Sequence, residues 1–204
     1  MITLLLATRN RHKVRELRQL LHGFPVRFLT LDQFSGFPPV REDGKTFRSN
    51  AVKKAVVISR KTILPVLAED SGLEVRALGG RPGIRSARFA GSDQDDRKNN
   101  AKLLKLLGST PASRRQARYV CWMALAVGGR VVRAFQGRCA GSIAFQPRGR
   151  AGFGYDPLFI PAGYKKTMAQ LGIRLKHRIS HRARAAARLK RWLLKTGLSG
   201  CPAD

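Results

Sequence analysis

The stretch LPVLAEDSGLEV, residues 64–75, places two neighbouring carboxylates, Glu69 and Asp70, directly behind an apolar run. Adjacent negative charges repel, and a carboxylate beside apolar residues is poorly solvated, so the pair needs compensating positive charge. A divalent cation such as Mg²⁺ takes oxygen ligands and keeps several waters, which suits an acid at a strand end that is followed by Ser71 and Gly72. The alternative is a turn in which Asp70 bonds its own backbone.

The segment ATRNRHK, residues 7–13, predicts a turn from a strand into a helix that can bind phosphate. Thr8 and Asn10 can donate to phosphate oxygens, the amides that open the helix point the same way, and Lys13 adds positive charge. The glycine pattern of a Walker A loop is absent. Plain N-capping is the alternative role for Thr8 and Asn10.

The segment GFGYDP, residues 152–157, places an aromatic residue, Phe153, between two glycines, where it can stack on a nucleotide base. It also contains Asp156, which is the one acid between Arg97 and Ala203. The alternative is a turn before a strand, with Phe153 and Tyr155 in the core.

The segment KHRISHR, residues 176–182, predicts the start of the last helix, which Ser180 can cap. His181 and Arg182 would then lie in the first turn, where the helix dipole favours acids over cations. This misfit indicates an anionic partner such as a nucleotide, and a solvated basic helix end is the alternative.

The chain is strongly basic, with 40 lysines and arginines against 12 acids and a net charge of +28 over 204 residues. That charge predicts affinity for polyanions, and a solvated basic surface is the alternative. No run approaches the roughly 20 apolar residues of a membrane span, and the N-terminal apolar run is too short for a secretory signal. Cys121, Cys139 and Cys201 are widely spaced and odd in number, which favours a reducing cytoplasm over a disulfide framework or a zinc site.

The hydrophobic periodicity predicts an α/β fold, in which a mixed sheet is flanked by helices within a single domain, 1–204. The predicted strands cover residues 2–8, 25–31, 64–70, 117–127 and 130–145, and the predicted helices cover 13–23, 46–62, 91–107 and 180–195.

Five blocks, taken in order, resemble the inosine triphosphate pyrophosphatase family, which removes non-standard purine nucleotides. They are ATRNRHKVREL, TFRSNAVKKA, LAEDSGLEVRALGGRPGIRSARFAG, GFGYDPLFIPAGYKKTMAQL and ISHRARA, and they span nearly the whole chain. The resemblance implies Mg²⁺-dependent hydrolysis of ITP, dITP and XTP to the monophosphate and pyrophosphate. It also implies an elongated two-lobed fold with the site in a central cleft, and a homodimer.

The resemblance also implies a role for each matching residue. Asp70 would be the catalytic acid and a metal ligand, with Glu69 beside it as a second candidate ligand, and Lys54 would contact phosphate. Ser71 would contact the substrate. The triphosphate would be bound by Thr8, Arg9, Asn10, Arg11, His12 and Lys13. The base would be bound by Phe153, Gly154, Tyr155, Asp156, Lys176, His181 and Arg182, of which His181 and Arg182 would donate to the 6-keto group of hypoxanthine or xanthine.

One departure from the family pattern concerns the metal. The family generally has a metal-binding glutamate just before the asparagine of TFRSNAVKKA, and here that position is Ser49. A hydroxyl is a poor replacement for a carboxylate, so Ser49→Glu is expected to lower the Mg²⁺ concentration needed for half-maximal activity.

Two other functions are compatible with the same residues. The charge and Ser49 are consistent with a nucleic-acid-binding protein on this fold with weakened catalysis. A pyrophosphatase for a different modified nucleotide is also possible, since function depends on the pocket rather than on the architecture.

Overall fold

A computed structural model describes residues 1–92 and 94–196, in which six strands and five α-helices are found. The strands are β1 Ile2–Leu6, β2 Val26–Thr30, β3 Val66–Val75, β4 Gln116–Val127, β5 Arg130–Ile143 and β6 Phe159–Pro161. The helices are α1 Arg11–Leu20, α2 Phe47–Ser59, α3 Asp96–Leu107, α4 Met168–Ile179 and α5 His181–Thr196.

The six strands form one mixed sheet in the order β2-β1-β3-β4-β5-β6. Strand β1 pairs in parallel with β2 and β3, whereas β5 and β6 are antiparallel. The predicted α/β class with a mixed sheet is therefore confirmed.

The chain divides into two compact units. Unit 1 consists of Met1–Asp70, Cys121–Gly137 and Arg182–Asp204, and unit 2 consists of Ser71–Val120 and Arg138–His181.

The core of unit 1 lies on both faces of its strands, which explains why Leu4, Leu5 and Leu6 of β1 are apolar in succession rather than at alternate positions. Leu4 and Leu6 pack in a cluster that includes Leu17 of α1 and Leu189 of α5. Leu5, between them, packs in the opposite cluster with residues of α2 such as Ala55 and Ile58.

The core of unit 2 contains two tyrosines whose hydroxyl groups are hydrogen-bonded. The hydroxyl of Tyr155 donates to the carbonyl of Ser86 at 2.8 Å, and the backbone N–H of Tyr155 donates to the hydroxyl of Tyr119 at 3.1 Å. The ring of Tyr119 meets that of Phe159 edge-on, with centroids 4.7 Å apart. The alternative that placed Tyr155 in the core is the observed one, whereas Phe153 is half-buried.

The predicted end of the third strand at Asp70 is wrong, because β3 continues through both acids to Val75. Both acids are buried but have hydrogen-bonding or charged partners there, so the strand can run through them.

The third helix begins at Asp96 rather than residue 91, because Asp95 is its N-cap and accepts from the N–H groups of Arg97 and Lys98. Asp93, inside the predicted helix, lies outside the described residues. Helix α4 was not among the predicted helices, and Gly172 interrupts it with a φ of +79°.

No helix within residues 1–92 and 94–196 has the length and apolarity needed to cross a membrane.

Candidate active site

The two adjacent acids of β3 point to opposite faces of the sheet, because successive side chains of a strand alternate. Glu69 lies on the face of Leu67, which packs against α1 and α5, and Asp70 lies on the face of Ala68, which packs against α2. Both carboxylates are buried, with 1% and 5% of their surface exposed. The alternation separates their charges, so each acid can have its own partners.

Asp70 is held by two side chains of α2. The side-chain amide of Asn50 donates to Oδ2 of Asp70 at 3.0 Å, and the ammonium of Lys54 lies 3.8 Å from Oδ1. Asn50 and Lys54 are four residues apart, so they lie on the same face of the helix. Burial raises the pKa of the Asp70 carboxyl above its usual range, and the positive charges of Lys54 and Lys13 oppose that shift.

A second carboxylate beside Asp70 was missed by the sequence analysis. Lys54 Nζ lies 2.6 Å from Oε1 of Glu42, in the polar loop before α2, and the charge of Glu42 acts to raise the pKa of Asp70. The same loop is fixed by Asn50, whose Oδ1 accepts from the N–H of Gly44 at 2.8 Å. A possible signal in the sequence was the acidic pair Glu42 and Asp43 just before a helix in a chain with only 12 acids.

Ser49 is exposed and caps α2. Its N–H donates to Oγ1 of Thr46 at 3.0 Å, and its Oγ accepts from the N–H of Thr46 at 3.1 Å. The two residues form a capping box in which Ser49 is the third helical residue. A glutamate at this position can form the same capping box, so a glutamate here can be explained by its role in stabilising the start of α2.

Glu69 belongs to a buried ion-pair cluster. Its two oxygens accept from Nε and Nη2 of Arg182 at 2.8 and 2.9 Å, and Lys13 Nζ lies 3.2 Å from Oε1. Arg182 also donates to Glu16 of α1 through Nη1. Although burial alone would lower the pKa of Arg182, the charges of Glu69 and Glu16 raise it, so the guanidinium stays charged. Arg182, predicted to contact the base, is thus paired to two carboxylates inside unit 1.

In the turn before α1, Thr8 and Asn10 accept backbone hydrogen bonds, as expected if they cap the helix. Asn10 is the N-cap, since its Oδ1 accepts from the N–H of Lys13 at 3.1 Å, and Oγ1 of Thr8 accepts from the N–H of Asn10 at 3.2 Å. Arg9 donates to the carbonyl of Phe37 at 3.2 Å. Arg11 and His12 are exposed in a first turn that contains no acid, so this helix end is positively charged.

Unit 2 brings together Phe153, Asp156 and Lys176. The buried Lys176 ammonium pairs with Oδ2 of Asp156 and lies 4.4 Å from the centre of the Phe153 ring. Oδ2 of Asp156 also accepts from the N–H of Phe153 at 3.0 Å. The single acid of this basic half therefore fixes both the loop and the lysine beneath its aromatic ring.

Helix α3 fixes the same loop from another side. Oδ2 of Asp96 accepts from the N–H of Gly154 at 2.6 Å, and the amide of Asn100 donates to the Gly154 carbonyl at 2.9 Å. The imidazole of His181 stacks on the Tyr119 ring, with centroids 4.6 Å apart and planes 7° from parallel. Neither Asp96 nor Asn100 was singled out from the sequence, because a contact 58 residues along the chain leaves no local pattern.

Unit 1 thus combines two carboxylates, a lysine between them and a cationic helix end, and unit 2 holds an aromatic ring above a buried lysine. Ser71, which directly follows Asp70 in β3, is half-buried and belongs to unit 2. Within the described part of the chain, no group of three or more histidine, cysteine, aspartate and glutamate side chains is arranged to hold a metal ion. A cation bound by Glu42 and Asp70 would therefore depend on other oxygen ligands, as Mg²⁺ does when it keeps several waters.

Similar proteins cover nearly the whole chain. Residues 4–192 match the Ham1 family. A relative from Geobacter sulfurreducens, named dITP/XTP pyrophosphatase, is 49% identical over 93% of this chain and 96% of its own length. One of the same name from Geobacillus kaustophilus is 47% identical over 91% of each chain. The solved HAM1 protein of Coxiella burnetii has a TM-score of 0.87 at 36% identity, covering 96% of this chain and all of its own. On this match of sequence and structure, the chain belongs to the Ham1 family.

Proposed function

We propose that this chain hydrolyses dITP, ITP and XTP to the nucleoside monophosphate and pyrophosphate. The names of its relatives support this activity. The observation that carries the proposal is the buried carboxylate of Asp70, which shares the ammonium of Lys54 with Glu42.

Glu42 and Asp70 are proposed as the protein ligands of Mg²⁺. The ammonium of Lys54 lies 2.6 Å from one carboxylate and 3.8 Å from the other, so the two carboxylates converge on one position. Two carboxylates with several waters are a typical Mg²⁺ site beside phosphates. When bound, the ion would neutralise phosphate charge and polarise the phosphorus–oxygen bonds. Glu69 is left out of the ligand set, because Arg182 and Lys13 compensate its charge.

Asp70 is proposed as the base that takes a proton from the attacking water. The water oxygen forms a bond to the α-phosphorus, the bond to the α–β bridging oxygen breaks, and its electron pair leaves with pyrophosphate. A carboxylate with a raised pKa holds that proton better than an ordinary one, and Asn50 orients it through its 3.0 Å hydrogen bond. Lys54 and the cationic start of α1, with Thr8, Asn10 and Lys13, would bind the negative charge of the triphosphate.

The base is proposed to bind in unit 2, stacked on the face of Phe153 away from Lys176, with a hydrogen-bond donor such as His181 at its edge. Lys176 lies under the ring and is anchored by Asp156, so its position does not depend on the substrate. A donor such as His181 can donate to the 6-keto oxygen of hypoxanthine or xanthine, whereas the 6-amino group of adenine offers it no acceptor. Arg182 would act indirectly, by holding Glu69 and the start of α5.

A panel of ITP, dITP, XTP, GTP and ATP with Mg²⁺, assayed for released pyrophosphate, tests the proposal. We expect the first three to be hydrolysed with a kcat/KM at least about 10²-fold above that of ATP. Release of orthophosphate in place of pyrophosphate, or equal rates on ATP, would contradict it. Selective hydrolysis of a different modified nucleotide would keep the chemistry and change the substrate.

Glu42→Gln is expected to raise the Mg²⁺ concentration for half-maximal pyrophosphate release by about tenfold or more, because a carboxylate ligand becomes a neutral amide. Calorimetric titration with Mg²⁺ alone should show the same weakening without turnover. Asp43→Asn is the matched control, since Asp43 is the next residue and is an exposed partner of Lys53.

For Ser49→Glu we now propose the opposite of the expectation drawn from the family pattern. Because Ser49 caps α2, the substitution should leave the Mg²⁺ requirement unchanged. If Ser49→Glu lowered that requirement while Glu42→Gln left it unaltered, the ligand assignment would be wrong.

A homodimer is proposed on the resemblance, and a cytoplasmic location on the cysteines, because Cys121 and Cys139 are buried and not joined in a disulfide. Light scattering during gel filtration would test the dimer by giving twice the mass of 22.6 kDa.

A further inference from the structure

Unit 1 contains a cavity of about 480 Å³ between the β4–β5 region and α5. A volume of this size is typical of sites that bind small molecules or single residues of a polymer. None of its lining residues belongs to the group around Asp70. It is therefore a separate feature that the proposed pyrophosphatase activity does not use.

The cavity has aromatic walls. Trp122 of β4, Phe135 of β5 and Trp192 of α5 line it, and the first and last are the two tryptophans of the chain. The Phe135 and Trp192 ring centres are 5.8 Å apart, which fixes one wall. Trp122 is half-buried and faces the guanidinium of Arg48 at 5.9 Å. Phe135 is buried, whereas the ring of Trp192 is half-buried and is a flat surface of the kind on which nucleotide bases stack.

The cavity is also strongly basic. Four cations line it, and no acid is among its lining residues in the described part of the chain. Arg188, Arg191 and Lys195 follow one face of α5 at spacings of three and four residues, and Arg133 of β5 is the fourth. All four are exposed at the surface, so their charged groups can reach a ligand. Arg184, one turn earlier on α5, continues the row.

The basic row along α5 is longer than a single phosphate group. From Arg188 to Lys195 the helix rises about 10 Å, at roughly 1.5 Å per residue, which is more than one phosphate group occupies. Arg188 is oriented by donating to the carbonyl of Gln136, and since a guanidinium carries five N–H donors, others stay available. Aromatic rings beside a line of cations are the typical arrangement for binding single strands.

We infer that this cavity binds single-stranded nucleic acid, with a base stacked against Trp192 and successive phosphates along the cations of α5. Recognition by stacking and charge does not depend on sequence. The four cations of the cavity would then account for a specific part of the net charge of +28.

Intrinsic fluorescence tests this inference directly, because both tryptophans of the chain line the cavity. We expect a 12-residue oligodeoxythymidine to quench the emission of the full-length protein, with an affinity that falls steeply as salt rises. Thymidine monophosphate should quench at least about tenfold more weakly, since it lacks the further phosphates. Equal affinity for the two would overturn the inference of a strand, and absence of quenching by either would overturn the site.

Charge variants separate this cavity from the general basic surface. Arg191→Gln combined with Lys195→Gln should lower the slope of log K against log salt by about 1.4, that is roughly 0.7 for each phosphate that is no longer neutralised. Lys165→Gln combined with Lys166→Gln removes the same charge from an exposed turn of unit 2 and is the matched control. Equal effects from the two pairs would show non-specific binding and overturn the inference.

A stacking variant completes the test. Trp192→Ala should weaken oligodeoxythymidine binding by about tenfold or more, measured by anisotropy of a labelled strand. The charge pair leaves the packing of the core untouched, so it decides the matter if Trp192→Ala fails to fold. ITP hydrolysis should be unchanged in the charge pair, because neither residue belongs to the Asp70 group.

Discussion

Asp70→Asn is expected to lower kcat for ITP hydrolysis by about 10²- to 10⁴-fold, because it removes the proposed base together with a metal ligand. The substitution keeps the shape of the side chain, and Asn50 and Lys54 remain in place around it. Initial rates of pyrophosphate release at saturating Mg²⁺ measure the effect. At that Mg²⁺ level, weakened metal binding alone contributes little to the loss.

The same variant should be at least as stable as the parent chain. Burial raises the pKa of the Asp70 carboxyl in the folded chain above its value in the unfolded chain. The charged carboxylate therefore lowers the stability of the folded state once the pH exceeds the ordinary pKa of an aspartate. A neutral amide avoids that cost, which gives gain of stability with loss of activity. The exposed acid Asp32 provides the control, since Asp32→Asn changes the charge of unit 1 equally and should leave the rate unaffected. Near-parental activity of a folded Asp70→Asn variant would reject the assignment of the base.

Arg182→Met is expected to reduce the free energy of unfolding by about 3–5 kcal/mol, because it removes the central cation of a buried ion-pair cluster and leaves its two carboxylates with less compensating charge. The guanidinium is 1% exposed and compensates two buried carboxylates, Glu69 and Glu16. Such a loss is far more costly than that of an exposed pair. Urea unfolding followed by circular dichroism measures the change.

Two comparisons separate this cause from ordinary loss of packing. Arg184→Met, two residues along α5, removes an exposed charge and should change stability by less than about 0.5 kcal/mol. Combining Arg182→Met with Glu69→Gln should restore part of the loss, because one of the two buried carboxylates that lost the guanidinium is then neutral. Additive losses in the combined variant would mean that the ion pair does not account for the effect.

The sequence predicted the fold class and most elements of unit 1, because each has a strong local pattern. The apolar run 2–8 and the helical spacing around Leu17 are observed as β1 and α1, and the segment 46–62 contains α2. The turn residues Thr8 and Asn10 behave as their types suggest, since they cap α1. The family resemblance depended on the order of five blocks and is confirmed over residues 4–192.

What the sequence could not predict depends on contacts between distant segments. Nothing local indicates that β3 continues past Asp70, since the partners of Glu69 come from α1 and α5. The position of Glu42 beside Lys54 depends on how a loop folds back on α2, so the sequence named Asp70 and Glu69 as metal ligands, linked Ser49 to the metal through the family pattern and overlooked Glu42. Similarly, Arg182 was assigned from its motif alone, and its pairing with two carboxylates needs three segments to meet.

The buried cysteines give each unit an internal reporter of its own opening. Cys121 lies in the core of unit 1 and Cys139 in that of unit 2, with 0% and 3% of their surface exposed. Burial raises the pKa of the Cys121 thiol well above its usual value, so the reactive thiolate is suppressed while that unit is closed. Alkylation at either position therefore requires the surrounding structure to open first. Mass spectrometry of the two labelled peptides over time would compare the rates at which the two units open in the intact chain.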